Sequence, residues 1–214
     1  MSVTTVHLVR HGEVLNPDGI LYGRLAGFPL SERGHEMAER AADALAGRDV
    51  THVVASPLER TRQTAEPVAR TFGLQLRTDP RIVEAASRLE GLRLAGAERV
   101  LRTPVAWRHL WNPLRPSWGE PYEEVVARMR DAVDDARAEA RGHEAVLVSH
   151  QLPIWATRLR LEGRPLVHDP RRRRCTLCSI TSLEFAGDRL SAVTYSEPAA
   201  DLLPVRGAGS RRRG

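Results

Sequence analysis

Three short apolar runs in this sequence each end in residues capable of polar chemistry. Val6-His7-Leu8-Val9 is followed by Arg10-His11-Gly12-Glu13, and His52-Val53-Val54-Ala55 runs into Ser56-Pro57-Leu58-Glu59-Arg60. Ala145-Val146-Leu147-Val148 ends in Ser149-His150. A neutral imidazole is a nucleophile or a proton carrier near physiological pH. A guanidinium beside it offers a planar fork of donors suited to phosphate or carboxylate oxygens. Alone, Arg10-His11 reads more readily as a surface histidine beside a solvated arginine. The other two runs give the pair its weight, because together they would make a site for an anion.

Those side chains meet only if their strands lie side by side in a parallel sheet, where the carboxyl ends of neighbouring strands face one crevice. The intervening segments supply the crossovers. Ser31 is placed as an N-cap, with Met37, Ala38, Ala41 and Leu45 at helical spacing before Gly47. Ser56-Pro57-Leu58 turns the chain into a second helix with Pro57 near its first turn, its apolar face is formed by Ala65, Val68, Ala69 and Phe72, and Gly73 ends it. Leu74 to Arg77 reads as a further strand. Tyr122, Val125, Val126, Met129, Val133 and Ala136 mark the clearest amphipathic helix, with Asp131, Asp134 and Asp135 towards solvent. Gln151 to Arg160 reads as another helix. Ile180 to Phe185 and Leu190 to Tyr195 form a hairpin through Gly187-Asp188.

The expected fold is therefore α/β: a three-layer α/β/α sandwich with a mostly parallel central sheet, helices on both faces and a C-terminal hairpin. Residues 1–204 form a single domain, interrupted at about 85–121 by a lid-like insertion in which Trp107, Trp111 and Trp118 pack locally. Residues 205–214 read as a disordered basic tail.

At 214 residues the chain is long enough for one well-buried core, and its 42% hydrophobic and 28% charged content is that of a globular protein. No apolar stretch approaches the roughly 20 residues of a membrane span, so no membrane partner is expected. Met1-Ser2-Val3 opens no signal sequence, which points to the cytoplasm. All 32 basic residues are arginine, and the net charge is +5. Much of it sits in two runs, Arg171 to Arg174 and Arg211 to Arg213, which read as a solvated loop and a tail rather than a nucleic-acid patch. A non-catalytic protein that binds through these runs is the alternative from a different class. A weaker version keeps an enzyme and uses Arg171 to Arg174 as a substrate clamp. Cys175 and Cys178 form a lone C-x-x-C at the start of a strand, without the second ligand pair of a zinc site or the following helix of a redox site. No metal or organic cofactor is expected. The oligomeric state stays open, with a homodimer among the options.

Four ordered motifs add a resemblance. Arg10-His11-Gly12-Glu13, Pro29-Leu30-Ser31 with Gly34, Ser56-Pro57-Leu58-Glu59-Arg60-Thr61-Arg62-Gln63-Thr64-Ala65 and Ser149-His150 together resemble the histidine phosphatase superfamily, also called the phosphoglycerate mutase-like family. The resemblance implies a phosphoenzyme mechanism on a small phosphorylated substrate. His11 would be the nucleophile, Arg10, Arg60 and a protonated His150 would hold the phosphoryl oxygens, and Glu84 would be the proton donor to the leaving group. Glu90 is the competing carboxylate; it matches a turn that is usually structural. Asn16, five residues after His11 where the family often has asparagine at six, is a candidate phosphoryl contact.

Other departures bear on specificity. Ala86-Ser87-Arg88-Leu89-Glu90-Gly91 replaces an aromatic-rich turn, and Gln151 replaces a glycine at the mouth of the site. Selectivity is assigned to the loop around Tyr22, Gly23 and Arg24 and to the segment from Ala85 to Pro121. A mutase shares the same centre, but the long insertion and basic cluster of glycolytic mutases are missing, so hydrolysis is preferred. Arg88, Arg93, Arg99 and Arg102 are the candidates for clamping a second anionic group.

Overall fold

A computed structural model describes residues 2–93 and 119–203. In chain order the main elements are β1 (Val3–Arg10), α1 (Glu32–Leu45), β2 (Val50–Ala55), α2 (Glu59–Phe72), β3 (Arg77–Thr78), α3 (Tyr122–Glu139), β4 (Glu144–Ser149), α4 (Gln151–Leu161), β5 (Ile180–Ala186) and β6 (Arg189–Ser196). The strands form one sheet in the order β3-β2-β4-β1-β5-β6. β3, β2, β4 and β1 run parallel, and the β5–β6 hairpin adds antiparallel to β1. The sheet is mixed, and its parallel half carries the site.

Alternation along the strands divides the core. Val9, Val146 and Val148 point to one face, where Met37, Ala41 and Leu45 of α1 and Ala65 and Val68 of α2 cover them. Val6, Leu8, Ala145 and Leu147 point to the other, against Met129 and Val133 of α3 and Ile154 of α4. The α/β/α layering is as expected. So is the capping: the Ser31 side chain accepts the Gly34 N–H, and Gly73 closes α2 at a φ of 64°.

Two local expectations change. The strand expected over Leu74 to Arg77 shrinks to Arg77–Thr78, which alone pair with β2. Leu74 instead donates its N–H to the Ala69 carbonyl at the end of α2, and Leu74 and Leu76 pack into the core. α2 begins at Glu59, after Leu58, so Pro57 precedes the helix instead of occupying its first turn. The flanks of the expected insertion are tied down by the bridges Ile20–Arg93 and Ser87–Gly119. Trp107, Trp111, Trp118, Arg99, Arg102 and the basic tail lie outside the described residues. Among the described residues no helix is long and apolar enough to cross a membrane.

Candidate active site

Sheet register assembles the centre. β1 and β4 pair in parallel with Arg10 opposite Ser149, so His11 and His150 leave their strands at the same level. The His11 N–H continues the ladder to the Ser149 carbonyl at 3.1 Å, and the Ser56 N–H reaches the Val148 carbonyl at 2.9 Å from the neighbouring strand. The two imidazole rings stand 5.2 Å apart, centroid to centroid. Ser56, His11 and His150 are thus neighbours because three strands stop together.

His11 is 2% exposed. Its Nδ1 lies 2.8 Å from the Gly12 carbonyl, which can only accept, so Nδ1 carries the proton and Nε2 keeps its lone pair. Burial, then the charges of Arg10 and Arg60, hold the pKa well below the usual histidine value. The result is an oriented imidazole that favours its neutral form, with its Nε2 lone pair free beside positive charge. His150, fully buried, is also held neutral by burial and by His11, Arg60 and Arg10. Its Nε2 bonds the Ser56 hydroxyl at 2.9 Å, and its Nδ1 faces an Arg60 nitrogen at 3.4 Å. Burial, the second ring and the two guanidiniums thus oppose the charge that the sequence reading gave His150. A phosphoryl dianion between them would reverse that balance.

Arg10 donates to the Cys175 carbonyl at 2.7 Å and Arg60 to the Gly23 carbonyl at 2.6 Å. In both, the Nε–H is buried without a partner. An unmet buried donor is costly, and two on adjacent guanidiniums beside a nucleophile suit the oxygens of a phosphoryl group. The Tyr22 ring lies 4.8 Å from the Arg60 guanidinium carbon and edge-on to His11, 6.4 Å away.

A cavity of about 650 Å³ opens in front of this group, lined by Arg10, Tyr22, Gly23, Glu84, Gln151 and Arg173, among others. His11, Arg60 and His150 are outside its lining, though Tyr22, which lines it, lies beside both His11 and Arg60. Glu84 meets the requirement of a proton donor: burial raises its carboxyl above the usual value despite the Ala85 N–H it accepts at 2.8 Å and the charges of Arg10, Arg60 and Arg173. Glu90 is spent on the backbone N–H groups of Arg24 and Ser87, at 3.1 and 3.2 Å, which makes it a loop brace.

The remaining sequence candidates take different places. Asn16 lines the cavity, but its carboxamide clamps both backbone groups of Ile20, at 2.8 and 2.9 Å. Gly23 contributes its carbonyl to Arg60, and at a φ of 38° a Cβ there would lie 2.3 Å from the Glu90 carboxylate. Arg24 is not a lining residue; it donates to the Glu84 carbonyl at 2.6 Å and to Glu120 at 2.7 Å, which braces the Glu84 segment. Gln151 lines the cavity, its amide nitrogen 3.3 Å from the Cys175 carbonyl. Arg88 is exposed, and Arg93 pairs with Asp18 at 3.4 Å. Cys175 and Cys178 are buried free thiols whose pKa values burial pushes up to about 11 and about 12.

Sequence reasoning missed three contributors. Arg128, on the polar flank of α3, donates to the carbonyls of Arg81, Val83 and Glu84 and pairs with Glu120 at 2.8 Å. Tyr122, read as a core position, lines the cavity. Arg173, read as part of a solvated run, is half-buried in the same wall. No periodicity distinguishes them, though the clamp reading of Arg171 to Arg174 came close to the last. Among the described residues no cluster of His, Cys, Asp and Glu is arranged to hold a metal ion.

Comparison with known proteins matches residues 6–198 to the histidine phosphatase superfamily (branch 1). The chain belongs to this superfamily. A relative in Mycobacterium tuberculosis, the uncharacterized protein Rv0525, is 55% identical over 92% of this chain and 98% of its own. The probable phosphoglycerate mutase GpmB of Yersinia enterocolitica is 32% identical over 84% of each. Among solved structures, the mycobacterial glucosyl-3-phosphoglycerate phosphatase Rv2419c aligns with a TM-score of 0.70 at 28% identity, covering 85% of this chain and 90% of that one. A phosphatase and a probable mutase thus both stand among the proteins this superfamily member is similar to.

Proposed function

We propose that the protein is a phosphomonoesterase that hydrolyses a small anionic phosphate ester through a phosphohistidine on His11. The observation that carries this reading is the state of His11: buried, neutral, with Nδ1 tied to the Gly12 carbonyl and two guanidiniums alongside. In the first step Nε2 attacks phosphorus, the P–O bond to the leaving group breaks, and Glu84 gives its proton to the departing oxygen. In the second, water attacks the phosphohistidine, the N–P bond breaks, and Glu84 takes the proton back. Arg10 and Arg60 meet the charge on the three equatorial oxygens throughout, so the work is chiefly positioning and electrostatics. Gln151 borders the entrance, and a small phosphorylated molecule is the partner in this reading, not a nucleic acid.

Phosphoryl return to the product, as in a mutase, is supported by the GpmB likeness. Against it, Arg93 is engaged by Asp18 and Arg88 faces solvent. Non-catalytic binding through the arginine run fits poorly, because Arg171 pairs with Asp169 and Arg173 turns into the cavity. The test is hydrolysis of p-nitrophenyl phosphate in the presence of chelator, with His11→Ala alongside. Parent turnover abolished in the variant supports the reading; equal turnover overturns it. Rapid conversion of 3-phosphoglycerate to its 2-isomer would replace hydrolysis with transfer.

A further inference from the structure

Resting on the phosphatase reading, we propose that Arg173 forms a second anion-binding point in the cavity. The substrate is then a phosphomonoester whose leaving group carries a further negative group on an apolar or aromatic body. The four arginines of the run have separate fates. Arg171 is paired with Asp169 at 2.9 Å, Arg172 is exposed, and Arg174 lies over the Tyr195 ring at 5.3 Å. Arg173 alone of the four lines the cavity that holds Arg10 and Glu84.

Its surroundings fix the guanidinium without neutralising it. Nε donates to His168 Nε2 at 2.8 Å, and a terminal nitrogen reaches the Gln151 carbonyl oxygen at 3.5 Å. His168 is itself set to accept: its Nδ1 donates to the Leu166 carbonyl, and its ring stacks on Tyr122 at 5.7 Å and meets Trp155 edge-on at 6.0 Å. Among the described residues no carboxylate lies within ion-pair distance of Arg173. A half-buried cation oriented by a neutral partner, with no ion-pair partner among the described residues, is an anion site in waiting.

That anion is distinct from the transferring phosphoryl group. Arg10 and Gln151 share the Cys175 carbonyl, and Gln151 then reaches Arg173, so a glutamine side chain stands between the two guanidiniums. Arg10, Arg60 and His150 already gather around the nucleophile. The cavity is larger than a phosphoryl group on a short chain would fill, and Leu21, Leu89, Tyr122 and Leu152 give it apolar walls. The positions that sequence offered for such a clamp, Arg88 and Arg93, face solvent or Asp18.

The test compares 3- and 4-carboxyphenyl phosphate with their neutral carbamoyl counterparts, which keep shape and leaving-group type. The parent should prefer at least one carboxylate over its amide by about 10- to 100-fold in kcat/KM, expressed mainly in KM, as a charge-assisted contact in a half-buried site provides. Arg173→Gln should bring that ratio close to one, and Arg173→Lys should restore part of it. If the parent shows no preference, or if Arg173→Gln lowers both members of a pair in proportion and leaves the ratio intact, the second anion site is wrong while the phosphatase reading stands. If the parent hydrolyses none of the four esters, the phosphatase reading falls, and this proposal with it.

Discussion

The phosphoryl side of the site and its leaving-group side are built by different physics. His11, His150 and Ser56 sit where three paired strands end, so backbone ladders fix their spacing before any side chain is considered. Glu84 has no such frame. It lies beyond a short 3-10 turn, Pro80–Ile82, and is held by side chains from distant elements: Arg128 grips three successive carbonyl regions, Glu120 accepts the Ala86 N–H at 3.2 Å, and Arg24 joins Glu120 to the Glu84 carbonyl. A nucleophile that must approach phosphorus in line needs the stiffer mounting. In the mechanism proposed above, the proton donor can stand on a charge network.

The sharpest way to break that contrast is at the phosphoryl side. Arg60→Ala should lower kcat for p-nitrophenyl phosphate by about 10³-fold, since it removes a preorganised donor pair facing the transition-state charge. Steady-state kinetics checks this, and circular dichroism checks that the variant is folded. Lysine at this position should recover little, because a point charge cannot replace the fork.

On the leaving-group side, the effect should depend on the substrate. Glu84→Gln should cost about 10²- to 10³-fold with an alkyl phosphate, where the alkoxide needs a proton, and far less with p-nitrophenyl phosphate. The pH profile adds a sign. Burial raises the Glu84 pKa, so its acid form persists above the usual carboxylate range, and kcat/KM for the alkyl ester should fall as pH rises through that pKa. The variant should lack that limb.

Two further changes separate rigidity from charge. Gly34→Ala would place a Cβ 2.0 Å from the Glu13 carbonyl oxygen, and Gly12→Ala one 2.5 Å from the Gly34 carbonyl oxygen. Gly34→Ala should therefore destabilise the fold by about 2–4 kcal/mol, measured by urea unfolding. Arg128→Met breaks the mostly buried pair with Glu120 and frees the Glu84 segment. It should cost about 2 kcal/mol of stability and slow alkyl phosphates by roughly tenfold relative to p-nitrophenyl phosphate.

The same division explains what was legible in the sequence. The motifs are written where backbones crowd: Gly12 and Gly34 let two segments touch, Thr64 accepts the Gly12 N–H at 3.1 Å, and Gln63 accepts the Leu30 N–H at 2.7 Å. Each position admits few residue types, so strand ends, helices and the His11 centre could be read directly. Arg128, Glu120 and Arg173 act through long side chains in a sequence where 28% of residues are charged, and no spacing rule separates a gripping arginine from a solvated one. Arg24 was singled out as a substrate contact, and nothing in the sequence signalled that its guanidinium would instead be engaged by the Glu84 carbonyl and the Glu120 carboxylate. Leu74 and Leu76 have the pattern of a strand, yet the helix cap and the core claim them first.

The central claim is a covalent phosphoryl group on His11. Rapid mixing with a ³²P-labelled phosphate monoester, quenching in alkali and peptide mapping test it most directly. An alkali-stable, acid-labile label should appear on the peptide that carries His11 and be absent from His11→Ala. A label on His150, a hydroxylamine-sensitive acyl phosphate, or full turnover with no labelled enzyme at any time would contradict it.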